Sequence, residues 1–399
     1  MIEITEKSMC CGCSACAEVC PKQCIAMQED EEGFQYPFIN KRLCIDCHLC
    51  EKVCPVINAS AEQTKVQRGY IVQHNDDSIR IDSTSGGAFT AMAQYVLQRG
   101  GVVFGVALNE KLRAMHIFTE NENDLALFRN SKYMQSDIVH AFSNVEHFLK
   151  NNRIVLFSGT GCQIEGLLRF LRKDYANLIA IDVVCRAVPS PLVFDKYIEY
   201  CNKQWDEPVV TLRFRDKYYG YKYSTLTMQT DSGKLNYHNG VESDPWLRAY
   251  FSNMIDRPSC HHCVFKKKFR QSDVTIWDCF NVGEFDENLN DDKGTTRVLV
   301  HSEKGQDLIN KIKSTCRVVE INPERLTHGV KELVCNTPAN DKREDFFKDV
   351  LIMDGESLFK KWFPIDTKAK MKHAIRMILY KTGLYAHVKV IVWKAVGKK

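Results

Sequence analysis

No run of about eighteen consecutive apolar residues occurs in the chain, which excludes a helix of membrane-spanning length. The opening "MIEITEKSMCCGC" lacks the basic segment and apolar run of a secretory signal. No recognised nucleic-acid-binding motif accompanies the basic residues, so nucleic acid is not an expected partner. The expected location is the reducing cytoplasm, with the inner face of the membrane as the alternative station. What the chain has in excess is cysteine: 18 in 399 residues. With 44% hydrophobic residues it can bury the cores of two or three domains without disulfide staples. Clustered thiols in a reducing compartment point instead to metal or redox chemistry.

Charge is distributed unevenly. Residues 1–58 hold nine acidic and five basic side chains, a net of -4, whereas residues 365–399 hold eight lysines and Arg376 against Asp366, a net of +8. Such an asymmetry bears on docking surfaces rather than on fold.

The cysteines are written in a repeated pattern. "CCGCSACAEVCP" gives Cys10-x2-Cys13-x2-Cys16-x3-Cys20-Pro21, and "CIDCHLCEKVCP" gives Cys44-x2-Cys47-x2-Cys50-x3-Cys54-Pro55. Three thiolates of one tight loop take three iron corners of a 4Fe-4S cubane, and in this pattern the fourth cysteine of each run ligates the other cluster. Cys20 is therefore expected to complete the second site and Cys54 the first. Structural zinc uses paired Cys-x2-Cys knuckles without this third cysteine and the x3-Cys-Pro ending. Cys11 and Cys24 lie off the pattern and read as packing residues. The intervening "EDEEGFQYPFINKRL" reads as a short hairpin, and "VINASAEQTKVQ" as a linker.

From Gly69 the pattern changes to alternating apolar strands and amphipathic helices. "YIVQH", "VVFGVAL", "RIVLFSG" and "LIAIDVVC" read as strands; "GAFTAMAQYVLQRG", "DIVHAFSNVEHFLKN" and "CQIEGLLRFLRK" read as helices. The expected fold is a two-cluster ferredoxin domain followed by an α/β domain with a mixed, largely parallel sheet. The expected division is 1–58 for the dicluster domain, 66–175 and 176–345 for the two parts of the α/β domain, and 346–399 for a helical basic tail. Ligands in such folds sit beyond the C-terminal ends of strands. Cys162 and Cys185 fall at two of these ends, and "SCHHCVFK" supplies Cys260 and Cys263. These four are enough for one more cluster, but strand-end cysteines also serve as small hydrophobes, and Cys260-x2-Cys263 with His261 or His262 could be half of a zinc site.

Stretches such as "TSGGAFTAMAQYVLQRGGVVFG", "NSKYMQSDI", "VLFSGTGCQIEGL", "DVVCRAVPSP", "RPSCHHCVFK" and "DDKGTTRVLV", taken together, resemble the coenzyme F420 hydrogenase/dehydrogenase beta-subunit family in its bacterial form with an N-terminal dicluster ferredoxin domain. The resemblance implies an iron-sulfur flavoprotein that passes electrons between a flavin, usually FAD, and a deazaflavin or other small acceptor. It implies a further 4Fe-4S cluster on Cys162, Cys185, Cys260 and Cys263. It also assigns the Ser85-Gly86-Gly87 loop, which alone would read as a helix cap, to the flavin phosphate, with Lys132 and Tyr133 nearby. The acceptor so implied is an F420-like coenzyme or a sugar-linked metabolite, the latter in surface-polysaccharide synthesis. The alternative is a non-catalytic electron-transfer subunit serving a separate dehydrogenase or reductase. The expected partner is a ferredoxin or a dehydrogenase subunit.

The chain departs from the family pattern at three places: Gly161 replaces a proline, Arg186 and Ala187 replace His-Gly, and Trp277 replaces a glycine in the run Trp277 to Asn281. Trp277 is expected to narrow the substrate pocket or alter its acceptor. Asp278, His238 and Arg186 are candidate proton donors. "FKKKFR" at 265–270 reads as a solvated basic face, or as a surface for an acidic ferredoxin or anionic coenzyme. "KAKMKHAIRMILYKTGLYAHVKVIVWKAVGKK" alternates basic and apolar residues, which suits either an anionic membrane surface or a helix packed on the domain.

Overall fold

The computed structural model of the chain describes residues 1–138, 140–385 and 388. The N-terminal hairpin pairs β1 (Ile25–Glu29) with β2 (Gln35–Ile39) in antiparallel register, Ile25 opposite Ile39. The body is built on β3 (Arg68–His74), β4 (Val102–Leu108), β5 (Ala114–Thr119), β6 (Val155–Thr160), β7 (Leu178–Val183), β8 (Val209–Asp216), β9 (Thr225–Thr230), β10 (Tyr237–Asn239), β11 (Val274–Asp278), β12 (Thr296–Val300) and β13 (Cys316–Ile321). Eight of these form one sheet in the order β13-β3-β12-β11-β7-β6-β4-β5.

The centre of that sheet, β4, β6, β7 and β11, is parallel, as near-continuous apolar strands covered on both faces require. Alternate residues feed opposite layers. Val103 and Leu156 pack under the helices Ala88–Leu97 and Glu303–Ile312, while Val102, Phe104, Val155 and Phe157 pack under Ala141–Lys150 and Gly161–Leu171. Strands β5, β12 and β13 run antiparallel to their neighbours, so the sheet is mixed. The helix expected over 137–151 begins only at Ala141, because Asp137 bridges to Met115 of the edge strand β5 instead.

A smaller sheet, β10-β9-β8, packs with the helices Pro191–Trp205, Pro245–Phe251, Arg343–Ile352 and Gly355–Trp362 around Trp246, Tyr197, Phe214 and Phe359. The helix Thr367–Lys381 follows, capped by Asp366. Residues 386–387 and 389–399 of the basic tail lie outside the described residues. Among the described residues, no helix is long and apolar enough to cross a membrane.

The "FKKKFR" run is not a free basic face. Lys266 donates to the Arg186 carbonyl (2.9 Å) and Lys267 to the Ser60 carbonyl (2.7 Å), while Lys268 pairs with Glu324 and Arg270 with the buried Asp182. Through Ser60, the run pins the linker that leads out of the ferredoxin segment.

Two buried histidines set an acid limit on this core. Burial lowers His116 and His301 to about 4. His301 stays neutral in a relay: its Nδ1 faces the Gln67 amide (2.9 Å), its Nε2 faces the Thr275 hydroxyl (2.8 Å), and Thr275 donates to Asp182 (2.5 Å). A depressed folded pKa leaves full stability above the unfolded value near 6.5 and loses it as the pH falls toward 4, by about 3 kcal/mol per histidine at the limit. Melting curves between pH 7 and 5 should fall more steeply for the wild type than for His301→Asn.

Candidate functional site

The two cysteine runs fold alike. Gly12 and Asp46 take positive φ (68° and 51°), as do Ser14 and His48 (61° and 57°), so each loop curls before its short helix, Ala15–Glu18 or Leu49–Lys52. One small cavity is lined by Cys10, Cys13, Cys16 and Cys54, the other by Cys20, Cys44, Cys47 and Cys50. Each run thus sends its fourth cysteine to the other cavity. Backbone N–H groups point at the thiols, from Ile2 to Cys50 (3.3 Å) and from Asp46 to Cys44 (3.4 Å). Cys47 is exposed, which brings the second site to the surface.

Neither off-pattern cysteine is remote. Cys24 lines the second cavity with its sulfur 3.3 Å from that of Cys20, and Cys11 lines the first. The Cys11 thiol also lies within hydrogen-bond reach of Cys162. The helix carrying Cys162 packs directly on the first loop: a Cβ on Gly166 would come within 2.9 Å of the Cys13 Cβ, so only glycine permits the approach.

Local sequence explains where Cys162 sits. Thr160 and Gln163 form a capping box at the start of Gly161–Leu171, which puts Cys162 in the first turn, beyond the end of β6. Cys185 follows the end of β7, and Cys260 and Cys263 lie on and just after the short 3-10 helix Pro258–His262. All four are partly buried and close enough for their charges to interact. Burial pushes the Cys185 thiol up to about 12, and Cys162 and Cys263 push it the same way, so these thiols keep their protons until a cation displaces them. Among the described residues, no three His, Cys, Asp or Glu side chains converge closely enough to hold a single metal ion. His261 holds its Nδ1 on the Thr337 carbonyl (3.0 Å), and among the described residues its Nε2 has no hydrogen-bond partner.

A cavity of about 310 Å³ opens beside these cysteines. Its walls include Cys162 and Cys185 together with Ser85, Gly87, Lys132 and Tyr133. Gly86 is not a wall residue. Its N–H is spent on the Thr296 hydroxyl (2.8 Å), and a Cβ there would meet the Val72 carbonyl at 2.3 Å, so it serves close packing. Lys132 is also occupied: its ammonium donates to the Leu127 and Arg129 carbonyls, both at 2.8 Å, and burial lowers it to about 7. Arg186, Trp277 and Asp278 line the cavity, whereas His238 lies on β10, stacked on Tyr218 with ring centroids 3.5 Å apart.

Residues 152–325 match the family model for the C terminus of the coenzyme F420 hydrogenase/dehydrogenase beta subunit, and residues 9–58 match the 4Fe-4S dicluster domain. The chain thus carries a 4Fe-4S dicluster domain and, over residues 152–325, the C-terminal domain of this beta-subunit family. A chain of the F420-reducing [NiFe] hydrogenase complex from Methanosarcina barkeri is similar at 14% identity, covering 76% of this chain and 94% of that one with a TM-score of 0.46. No curated protein matches. With these two domains, the chain is an iron-sulfur electron-transfer protein of oxidoreductase type.

Sequence reading named Asp278 and Tyr133 on the cavity wall but missed Tyr250 beside them and Arg215 behind them. Asp278 accepts from Ser85 (2.6 Å) and Tyr221 (3.1 Å) on one oxygen and from Arg215 (3.0 Å) on the other, and Arg215 also donates to Tyr133 (3.0 Å). Burial opposes the Arg215 charge, but Asp278 and the two tyrosines hold it firmly in place. Tyr133 in turn stacks on Tyr250, with centroids 4.4 Å apart and planes 7° apart. Arg215 and Tyr250 sit 82 and 117 residues from Tyr133 in a chain rich in both residue types, so no local signal marked them.

Proposed function

We propose that this chain is an iron-sulfur flavoprotein oxidoreductase, in which Cys162, Cys185, Cys260 and Cys263 hold a third 4Fe-4S cluster and the adjoining cavity takes a flavin, FAD by the family resemblance. The observation that carries this reading is the shared cavity, whose walls join two of those cysteines to Ser85, Gly87, Lys132 and Tyr133. A flavin bound there exchanges the electron pair of a hydride for the single electrons that iron-sulfur centres accept. The surrounding side chains have defined tasks. Stacked Tyr133 and Tyr250 give a flat wall, and Asp278, engaged through both oxygens, anchors that wall rather than donating a proton. Exposed Cys47 offers the surface site to a redox partner such as a ferredoxin or a dehydrogenase subunit.

Among the described residues, the buried Arg186 Nε and Trp277 Nε1 have no hydrogen-bond partner, and both residues line the cavity. Unpartnered buried donors of this kind favour a ligand with acceptor or anionic groups, such as an F420-like coenzyme or a sugar-linked metabolite. They also favour an enzyme with its own substrate over a purely electron-relaying subunit. Anaerobic purification with iron, sulfide and flavin analysis tests the reading: about twelve irons and one flavin per chain are expected, and a flavin-free protein with about eight irons would overturn it.

We also propose peripheral contact with an anionic membrane. On Thr367–Lys381, Met371, Ile375 and Ile378 share one outward stripe and are 57%, 50% and 62% exposed, flanked by exposed Lys368, Lys370, Lys372 and Lys381. The opposite face holds the helix to the body through Arg376, which pairs with Glu242 and Tyr223. An apolar stripe bordered by lysines suits the headgroup boundary of anionic lipid. Wild-type protein should sediment with vesicles containing phosphatidylglycerol. A Met371→Asp, Ile375→Asp, Ile378→Asp variant should stay in solution, and equal sedimentation of the two would dismiss the idea.

A further inference from the structure

One buried cation stands between the first cysteine loop and the third cysteine group. Arg257 is fully buried, and none of the ion pairs among the described residues includes it. Its guanidinium instead makes three hydrogen bonds to neutral oxygens: Nε to the Cys10 carbonyl (2.8 Å), Nη1 to the Gln135 side-chain oxygen (2.9 Å) and Nη2 to the Gln35 carbonyl on β2 (2.8 Å). The rings of Tyr36 and Phe34 lie 4.4 and 5.3 Å from it. Its own backbone carbonyl accepts from the Cys260 N–H (2.9 Å), and its N–H donates to the Val188 carbonyl (2.8 Å). The side chain thus grips the first loop while the backbone forms part of the third loop.

A buried charge without a counterion is costly, and neutral carbonyls and ring faces offset only part of that cost. Four thiolates on a cubane carry net negative charge, and reduction adds one more. Cys10 and Cys11 on one side and Cys260 on the other are near enough for their charges to act on the guanidinium. The first loop is shaped to admit it. A Cβ on Gly12 would lie 2.8 Å from Nη1, and Gly12 has a positive φ of 68°, so two independent constraints keep this position glycine.

We infer that Arg257 is the shared countercharge of the first and third clusters, a positioning residue that ties their two loops together and raises both reduction potentials in step while leaving the second cluster untouched. None of the three guanidinium hydrogen bonds of Arg257 reaches the second site, built from Cys20, Cys44, Cys47 and Cys50. Net charge and hydrogen bonding near the sulfurs are among the factors that set such potentials. The inference rests on the third-cluster reading for one of its two couples.

The test is a redox titration of the holoprotein, followed by paramagnetic resonance, on wild type, Arg257→Gln, Arg257→Lys and Gln135→Glu. Removing the charge should make reduction of the first and third clusters at least about tenfold less favourable, a fall of about 59 mV for a one-electron couple, with the second unchanged. Gln135→Glu should lower the same two potentials by setting a carboxylate against Nη1, and it does so without removing the arginine should Arg257→Gln fail to fold. Arg257→Lys keeps the charge and should stay nearer to wild type. Unmoved first and third potentials in Gln135→Glu, or an equal shift of all three clusters, would overturn the inference. Wild-type protein with about eight irons instead of about twelve would sink the third-cluster reading on its own, and the inference would then be decided by the first couple alone.

Discussion

The substitution Cys54→Ala is expected to remove the first cluster, although Cys54 belongs to the second cysteine run. Cys54 shares a cavity with Cys10, Cys13 and Cys16, whereas its sequence neighbours Cys44, Cys47 and Cys50 share one with Cys20. A cubane left with three thiolates has one open iron corner and is readily lost, so iron should fall by about four atoms per chain. Of the two dicluster signals, the one that remains should be that of the surface site. The reciprocal substitution Cys20→Ala should spare the first cluster and remove the second. Iron analysis with paramagnetic spectra of both variants decides the matter: if Cys54→Ala loses the surface cluster instead, each run closes its own cluster and the crossed arrangement is wrong. The crossed arrangement also has a mechanical consequence. Because each run completes the other's site, either substitution should loosen the hairpin β1-β2 that lies between the runs.

Cys185→Ala should leave the two N-terminal clusters intact and break the connection to the cavity. The expected iron content is again about four atoms lower, with both dicluster signals retained. On the proposed flavoprotein reading, chemical reduction of the dicluster segment should then no longer reach the flavin of the cavity, a loss of at least about a hundredfold in its reduction rate at matched protein concentration. The substitution itself is mild, because Cys185 is a small, partly buried side chain after the end of β7 and alanine leaves the backbone free to follow the same path. Stopped-flow absorbance in the flavin band provides the measurement. Undiminished flavin reduction would show that electrons reach the cavity by a route that avoids the third cysteine group.

The two cysteine runs were legible from sequence because cluster ligation imposes a fixed local spacing, and the same loop conformation recurs at both. The parallel centre of the sheet was equally legible, since Val102 to Phe104 and Val155 to Phe157 form apolar runs buried from both sides. The antiparallel edges were not. Strands β5 (Ala114–Thr119) and β13 (Cys316–Ile321) mix apolar and polar residues without a regular alternation, and their pairing depends on which neighbours the chain brings alongside. The basic run at 265–270 misled for a related reason. Its composition matches a solvated surface, yet each lysine finds a carbonyl or carboxylate from a segment distant in sequence.

Gly86 and Lys132 show the limit of motif reading at the candidate site. Both stand in the stretches that carry the family resemblance, but the Gly86 N–H is spent on Thr296 behind the wall and the Lys132 ammonium on two carbonyls. His238, chosen for its chemistry alone, lies on a different sheet from the cavity.

Sequence by itself determined the iron-sulfur character of this protein, because thiolate spacing within a dozen residues is enough to wrap a cubane. Tertiary structure alone decided which groups face one another across the cavity, and that a lone arginine lies between two cysteine sites. Long-range packing, rather than local conformation, sets the distances between such neighbours, because they stand far apart along the chain.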